Sequence, residues 1–319
     1  MYNEEQKTKF VREYTHSLSM AKLCESIFNK IESFEQEWGA DICTRTSTEL
    51  QPVIDKIVGF RARSKWSVLI MLKDYVKWCI GNGVTDACDG MLQIKTVGVE
   101  NVKTQMVSIP KHLQKYLDEI CDAEDKQTTD NIYRCFYWLA YSGMKEEDIL
   151  KVKCSDVDFT NMVVHYNGEE FIIYREAIPA FQNCSKLDSF VYNHPLYSAD
   201  KVVIKPRAEG DTLVRGIRSV STIKVMRMTL SRKSKECFDS GRTKLKLSYY
   251  RVWLSGLFYR MYEFEKSGLP VDFTDAAIKY MEGRDYKFEK GCKNESIKKR
   301  EIAKDYLEDY QRWKLAFFL

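Results

Sequence analysis

The chain has 319 residues, 44% hydrophobic and 13% aromatic, with 50 Lys and Arg against 46 Asp and Glu for a net charge of +4. That length suits two domains with sizeable cores, and the mixed, apolar-rich composition excludes a disordered or fibrous chain. No apolar run is long enough to span a bilayer and the opening MYNEEQKTKF is charged from its start, so a cytoplasmic protein without membrane contact is expected.

In chain order, the spacing of apolar residues predicts helices over 3–14, 17–39, 48–58 and 64–80. Gly39 and Gly81 supply the stops. Residues 82–108 lose helical periodicity and carry Gly, Asp, Thr and Val, the composition of an extended linker with at most one short strand. Further helices are expected over 110–121, opened by Pro110, and over 128–141. The period then changes. In MVVHYNGEEFIIY two β-rich runs flank Asn167-Gly168, which predicts a hairpin of 162–166 with 171–174. Helices over 219–239, 248–267, 272–283 and 298–318 complete a mainly α fold with a small β-sheet (α+β). The expected domains are 1–83, a linker over 84–108, and 109–319.

Ten cysteines are scattered with no C-x-x-C pair, the pattern of reduced core thiols rather than a disulfide framework. The four histidines lie near no cysteine or acid pair at ligand spacing, so neither metal nor cofactor is expected.

Charge is unevenly placed. Between Lys201 and Arg260 there are 15 Lys or Arg against 4 Asp or Glu, and a second basic cluster runs from Lys287 to Arg300. A local excess of this kind marks a polyanion partner; the plainer reading is a solvated face. Within it, TIKVMRMTLSRKSKECF places Lys224, Arg227, Arg232, Lys233 and Lys235 along one helix, with Val225, Met228 and Leu230 available for packing. Arg61, Arg63 and Lys65 cluster at the start of the fourth helix, where unpaired backbone amides also favour phosphate oxygens. Two basic faces joined by a linker could close around a DNA duplex.

The stretch YSGMKEEDILKVKCSDVDF (141–159) resembles the Thr-Gly-Leu-Arg, Ser-Glu-Leu-Leu, Leu-x-x-x-Asp-Ile-Asp block of the tyrosine recombinases, the phage integrase family. It matches at Gly143, Met144, Asp148, Ile149, Leu150, Val152, Asp156 and Asp158. The resemblance implies an N-terminal four-helix, SAM-like core-binding domain and a recombinase-like C-terminal domain. It implies chemistry in which a tyrosine attacks a scissile phosphate, without metal or cofactor, under preorganised cationic donors and a general acid.

Carried over residue by residue, the family's first arginine falls on Lys145, which keeps a charge but loses the two-pronged fork. The hairpin that should carry a lysine reads Asn167, Gly168, Glu169, Glu170. His-x-x-Arg becomes SYYR, with Ser248 in the histidine position and Arg251 in that of the arginine; MEGR puts Arg284 where histidine is expected. The nucleophile falls on Tyr306, or on Tyr310 one turn later. Plainer roles stand beside these: a helix-start lysine, an Arg251 paired with an acid such as Asp272, and tyrosines packed beside Trp313.

The resemblance with this depleted set implies a sequence-specific DNA-binding regulator similar to recombinase-like prophage repressors of the SPβ type. The alternatives are an active, divergent integrase, or a helical protein-interaction factor. The apolar tail WKLAFFL is expected either to be buried in its own domain or to dock on a neighbouring subunit, making a homo-oligomer on DNA.

Overall fold

Local capping chemistry sets the limits of the first helices. The computed structural model describes residues 1–59, 61–95, 98–121, 130–186, 188–193, 202–207, 209–215, 223–281 and 295–319. Helix α1 (Glu4–Tyr14) is followed by α2 (Leu18–Trp38), whose Ser17 cap accepts from the Met20 amide and whose end is turned by Gly39 at φ +62°. A capping box of Thr46 and Glu49 opens α3 (Ser47–Ile57), and α4 (Ala62–Gly81) closes the set. The four helices match the expected spans but not every expected buried position: Ile70 and Ile80 of α4, apolar positions read as part of its inward side, are exposed. Leu18 and Leu23 at the start of α2 are exposed, and its buried face begins at Cys24.

The described residues divide into two compact units, 1–102 with 272–319 and 103–271. In the first, Phe10, Phe28 and Tyr75 pack edge-on at 5.0–6.1 Å over Ile31, Leu50, Ile54 and Leu72. The segment expected as an extended linker instead forms the short helices α5 (Gly90–Gln93) and α6 (Glu100–Lys103). Met91 and Ile94 enter the core, and Gly90 lies so close to Arg45 that an added Cβ would meet its carbonyl oxygen at 2.1 Å. Aperiodic sequence here reflects helices too short to show a period, not an absence of packing.

The grouping of 272–319 with the first unit also differs from the sequence expectation, which placed it with the second. Its helices are α13 (Thr274–Met281) and α14 (Glu295–Phe317). The tail aromatics pack within this unit: Trp313 is fully buried and stacks on Tyr310 at 6.0 Å. A buried polar cluster, Lys7 with Glu35 and Asp41, lies inside the same unit.

The second unit is built around α8 (Asp130–Tyr141), apolar on nearly all sides and buried from Cys135 to Tyr141. Around it lie α7 (Pro110–Ile120), α9 (Glu146–Ile149), α10 (Ile178–Lys186), α11 (Ile223–Asp239) and α12 (Tyr249–Lys266). Helix α12 crosses α8 at Gly256. Its inward face is shorter than its periodicity suggests: Leu254 and Phe258 are buried, Phe264 is exposed.

The strands β1 (Val157–Asp158), β2 (Val163–Tyr166) and β3 (Glu169–Ile172) form an antiparallel sheet in that order. Asn167 and Gly168 take φ +50° and +77°, the positive pair a two-residue hairpin turn requires. Because the turn has only two residues, β3 begins at once at Glu169, two residues earlier than expected, and Val163 pairs with Ile172. A second hairpin, β4 (Ser189–Asn193) with β5 (Val202–Pro206), has no tight-turn signal in sequence and was not foreseen.

Candidate nucleic-acid interface

A helix that ends inside a protein leaves carbonyl oxygens to be satisfied, and α8 ends at the motif turn. Three side chains of α12 meet that turn: Arg260 donates to the Tyr141 carbonyl, Trp253 Nε1 to Gly143 O at 3.1 Å, and Tyr249 Oη to Met144 O at 2.7 Å. Gly143 holds φ +103°, a backbone conformation that favours glycine, and the Arg260 guanidinium lies 2.7 Å from where a Cβ would stand. Lys145 follows in the cap position of α9, its backbone extended and its side chain half-buried.

The next residue is the surprise of the site. Glu146 is 3% exposed, and its carboxylate is gripped by Arg227 of α11 through Nε at 2.8 and 2.9 Å and through Nη2. A buried carboxylate needs such a partner, and the planar guanidinium supplies two parallel donors. Hydrogen bonding to Glu146 raises the Arg227 pKa, and burial, followed by the charge of Glu146, raises that of Tyr249. A cleft of about 310 Å³ opens here, lined among others by Phe136, Glu146, Arg227, Ser248 and Tyr249.

The start of α12 is also committed. Ser248 Oγ accepts from the Arg251 amide as the helix cap, and Arg251 Nη1 donates to the Lys246 carbonyl; burial lowers the guanidinium pKa. Asp272, the acid considered as a partner for Arg251, instead caps Thr274.

Along α11 the expected phosphate contacts sit in ion pairs. Arg232 meets Glu236 at 3.1 Å, Lys235 meets Asp239 at 3.8 Å, and Lys233 meets the buried Asp130 at 2.9 Å. Lys224 is exposed on the same helix. Val225 and Met228, expected to pack, are exposed beside it, while Leu230 is buried.

The hairpin tip presents Glu169 and Glu170 to solvent, with no lysine on either strand. Tyr306 and Tyr310 belong to the first unit and are fully buried. Arg61 also lies there, its guanidinium 2.5 Å from Asp309 and 5.4 Å from the Tyr306 ring centroid. Arg63 and Lys65 fall in the first turn of α4, their side chains outside what is described, and Arg284 lies outside the described residues. The second unit thus brings together the Lys145 turn, Arg227 and the Ser248 helix start. The sequence reading missed Glu146, although an acid directly after the motif's basic residue was the available signal.

Residues 1–81 match the family described as MrpR, N-terminal core-binding domain. The chain is also similar to several solved structures. One is XerA recombinase, at 14% identity over 83% of this chain and 85% of that one, TM-score 0.34. Another is the Tn1549 transposon integrase in complex with circular intermediate DNA, at 14% over 92% of each chain, TM-score 0.33. A third is the integrase from mycobacterium phage Brujita, at 12% over 98% of this chain and 91% of that one, TM-score 0.31. No curated protein matches.

Proposed function

We propose that the chain is a sequence-specific double-stranded DNA-binding protein on the tyrosine-recombinase plan, acting as a non-cutting regulator of the prophage-repressor kind. The observation that carries this reading is the Glu146–Arg227 pair. Phosphoryl transfer needs cationic donors aimed at the charge growing on the phosphate oxygens. Here the guanidinium fork at the cleft grips an internal carboxylate, the Ser248 hydroxyl caps a helix, and Arg251 donates to a backbone carbonyl.

Each lost donor costs roughly two to three orders of magnitude in rate, so a site lacking several sustains no useful strand cleavage. Binding is less demanding. A point charge such as Lys145 suffices to neutralise a backbone phosphate, and the match of residues 1–81 to a core-binding domain supports a DNA contact from the N-terminal unit.

The test has two readouts on the full chain, using fragments of genomic DNA selected by binding. Affinity is expected to fall about 10³-fold between roughly 50 and 200 mM salt, as counterion release at six or so phosphates requires. A nicked suicide duplex made from the selected sequence is expected to yield no denaturant-resistant adduct. A phosphotyrosine link at Tyr306 or Tyr310 would establish the active integrase instead, and no DNA binding at low salt would remove both readings.

A further inference from the structure

One ion pair of α11 is unlike the others described on that helix. Arg232–Glu236 and Lys235–Asp239 each join two exposed side chains, and Lys233–Asp130 joins two largely hidden ones. In Arg227–Glu146 the partners differ: the Arg227 side chain is 61% exposed, that of Glu146 3%. Glu146 takes Nε and Nη2, and Nη1 has no hydrogen-bond partner among the described residues. The cation is thus fixed from beneath, with one nitrogen uncommitted. Arg227 lies on an exposed stripe of α11 with Lys224, Met228, Ser231 and Lys235, on the side opposite the buried Met226, Leu230 and Cys237.

An arginine free to sample its rotamers loses that freedom when it grips a ligand; one already held by a buried acid has lost it in folding, and binding then costs less. Glu146 keeps its hold, because a carboxylate away from water needs its cation. From this geometry we propose that Glu146 is a positioning residue: it holds Arg227 in one orientation on the surface of α11, so that Nη1 meets a backbone phosphate and fixes the register of the protein on the duplex. The inference rests on the DNA-binding reading and assigns within it the acid that orients one contact. By charge alone an acid beside a phosphate weakens binding, so the role carries a sign that a merely structural ion pair would not give.

The experiment uses the full chain, a duplex selected by binding and an unrelated duplex of the same length. Glu146→Gln keeps the shape and strands no buried charge, since the guanidinium it leaves is exposed. It is expected to weaken binding to the selected duplex about tenfold, the worth of one charge-assisted contact, without weakening binding to the unrelated one. Arg227→Lys, which keeps the charge but not the fork, is expected to lose the same factor, and the two changes together no more than either alone. Single methylphosphonate substitutions along the selected duplex each neutralise one phosphate. One position is expected to cost the wild type about tenfold and to cost a Glu146→Gln, Arg227→Gln double variant nothing. That double variant removes both charges, so it leaves no carboxylate stranded.

A folded Glu146→Gln protein that holds the selected duplex as tightly as the wild type, or more tightly, would overturn the positioning role and leave the DNA reading standing. A methylphosphonate scan in which no position distinguishes the wild type from the double variant would do the same, whether or not Glu146→Gln folds by itself. Failure of the wild type to bind any duplex would take down the DNA reading, and this role with it.

Discussion

Gly256→Ala is expected to lower the melting temperature of the second unit by about 6–12 °C, or to prevent its folding. A Cβ at this position would stand 1.8 Å from the Tyr141 carbonyl oxygen, 2.6 Å from its carbon and 2.8 Å from its Cα. All three are backbone atoms, so no side chain can swing aside. The helices must separate, and with them the seats of Arg260, Trp253 and Tyr249 on the carbonyls of the motif turn. Overpacking against backbone costs about 3 kcal/mol or more. For a unit of this size each kcal/mol is worth about 2–4 °C. Gly81→Ala is the control, since an added Cβ there meets nothing within 4 Å and its helical position favours alanine. Differential scanning calorimetry on both variants decides the matter: a Gly256→Ala melt within a degree of wild type would mean that α8 and α12 do not cross this closely.

This crossing also marks the limit of what the sequence alone disclosed. The helices of the first unit were legible because each buries one stripe, and periodicity reports a stripe directly. The first hairpin was legible because Asn167-Gly168 carries its own backbone conformation. Neither signal names a partner. The apolar face of α14 reads the same whichever unit buries it, so the sequence reading assigned it by chain order. The basic run of α11 shows the same limit in charge. Counted locally it is strongly cationic, yet Glu146 reaches Arg227 from 81 positions away, and Asp130 reaches Lys233 from α8. Lys145 was found because a motif with fixed spacing surrounds it. Glu146, which does more to define the cleft, shows in the sequence only as an acid directly after Lys145, and its partner becomes visible only once α11 is folded beside it.

The buried cluster of the first unit gives the other large expected effect: Lys7→Met is expected to destabilise that unit by about 3–5 kcal/mol, the usual cost of removing one partner from a buried charge pair. Lys7 and Glu35 are both fully buried and bridged, and Asp41 lies 3.7 Å from the same ammonium. The remaining acceptors are occupied: Ile42 N donates to Glu35 at 3.0 Å, and Tyr75 Oη, Cys43 N and Asn3 Nδ2 donate to Asp41 at 3.0–3.2 Å. Removing the cation leaves two carboxylates facing each other away from water. Burial pushes the Glu35 pKa up to about 7, with Lys7 opposing the rise and Asp41 adding to it. An acid whose folded pKa is raised holds its proton in the folded state after the unfolded chain has lost it. Between about pH 4.5 and 7 the folded unit therefore binds the extra proton, and its stability falls as pH rises through that window. Urea unfolding of the unaltered protein across pH 5 to 8, followed by circular dichroism, should show this slope for the first transition, and Glu35→Gln should flatten it. A Lys7→Met protein as stable as wild type at pH 8 would show that the ammonium is not what allows the two acids to stay inside.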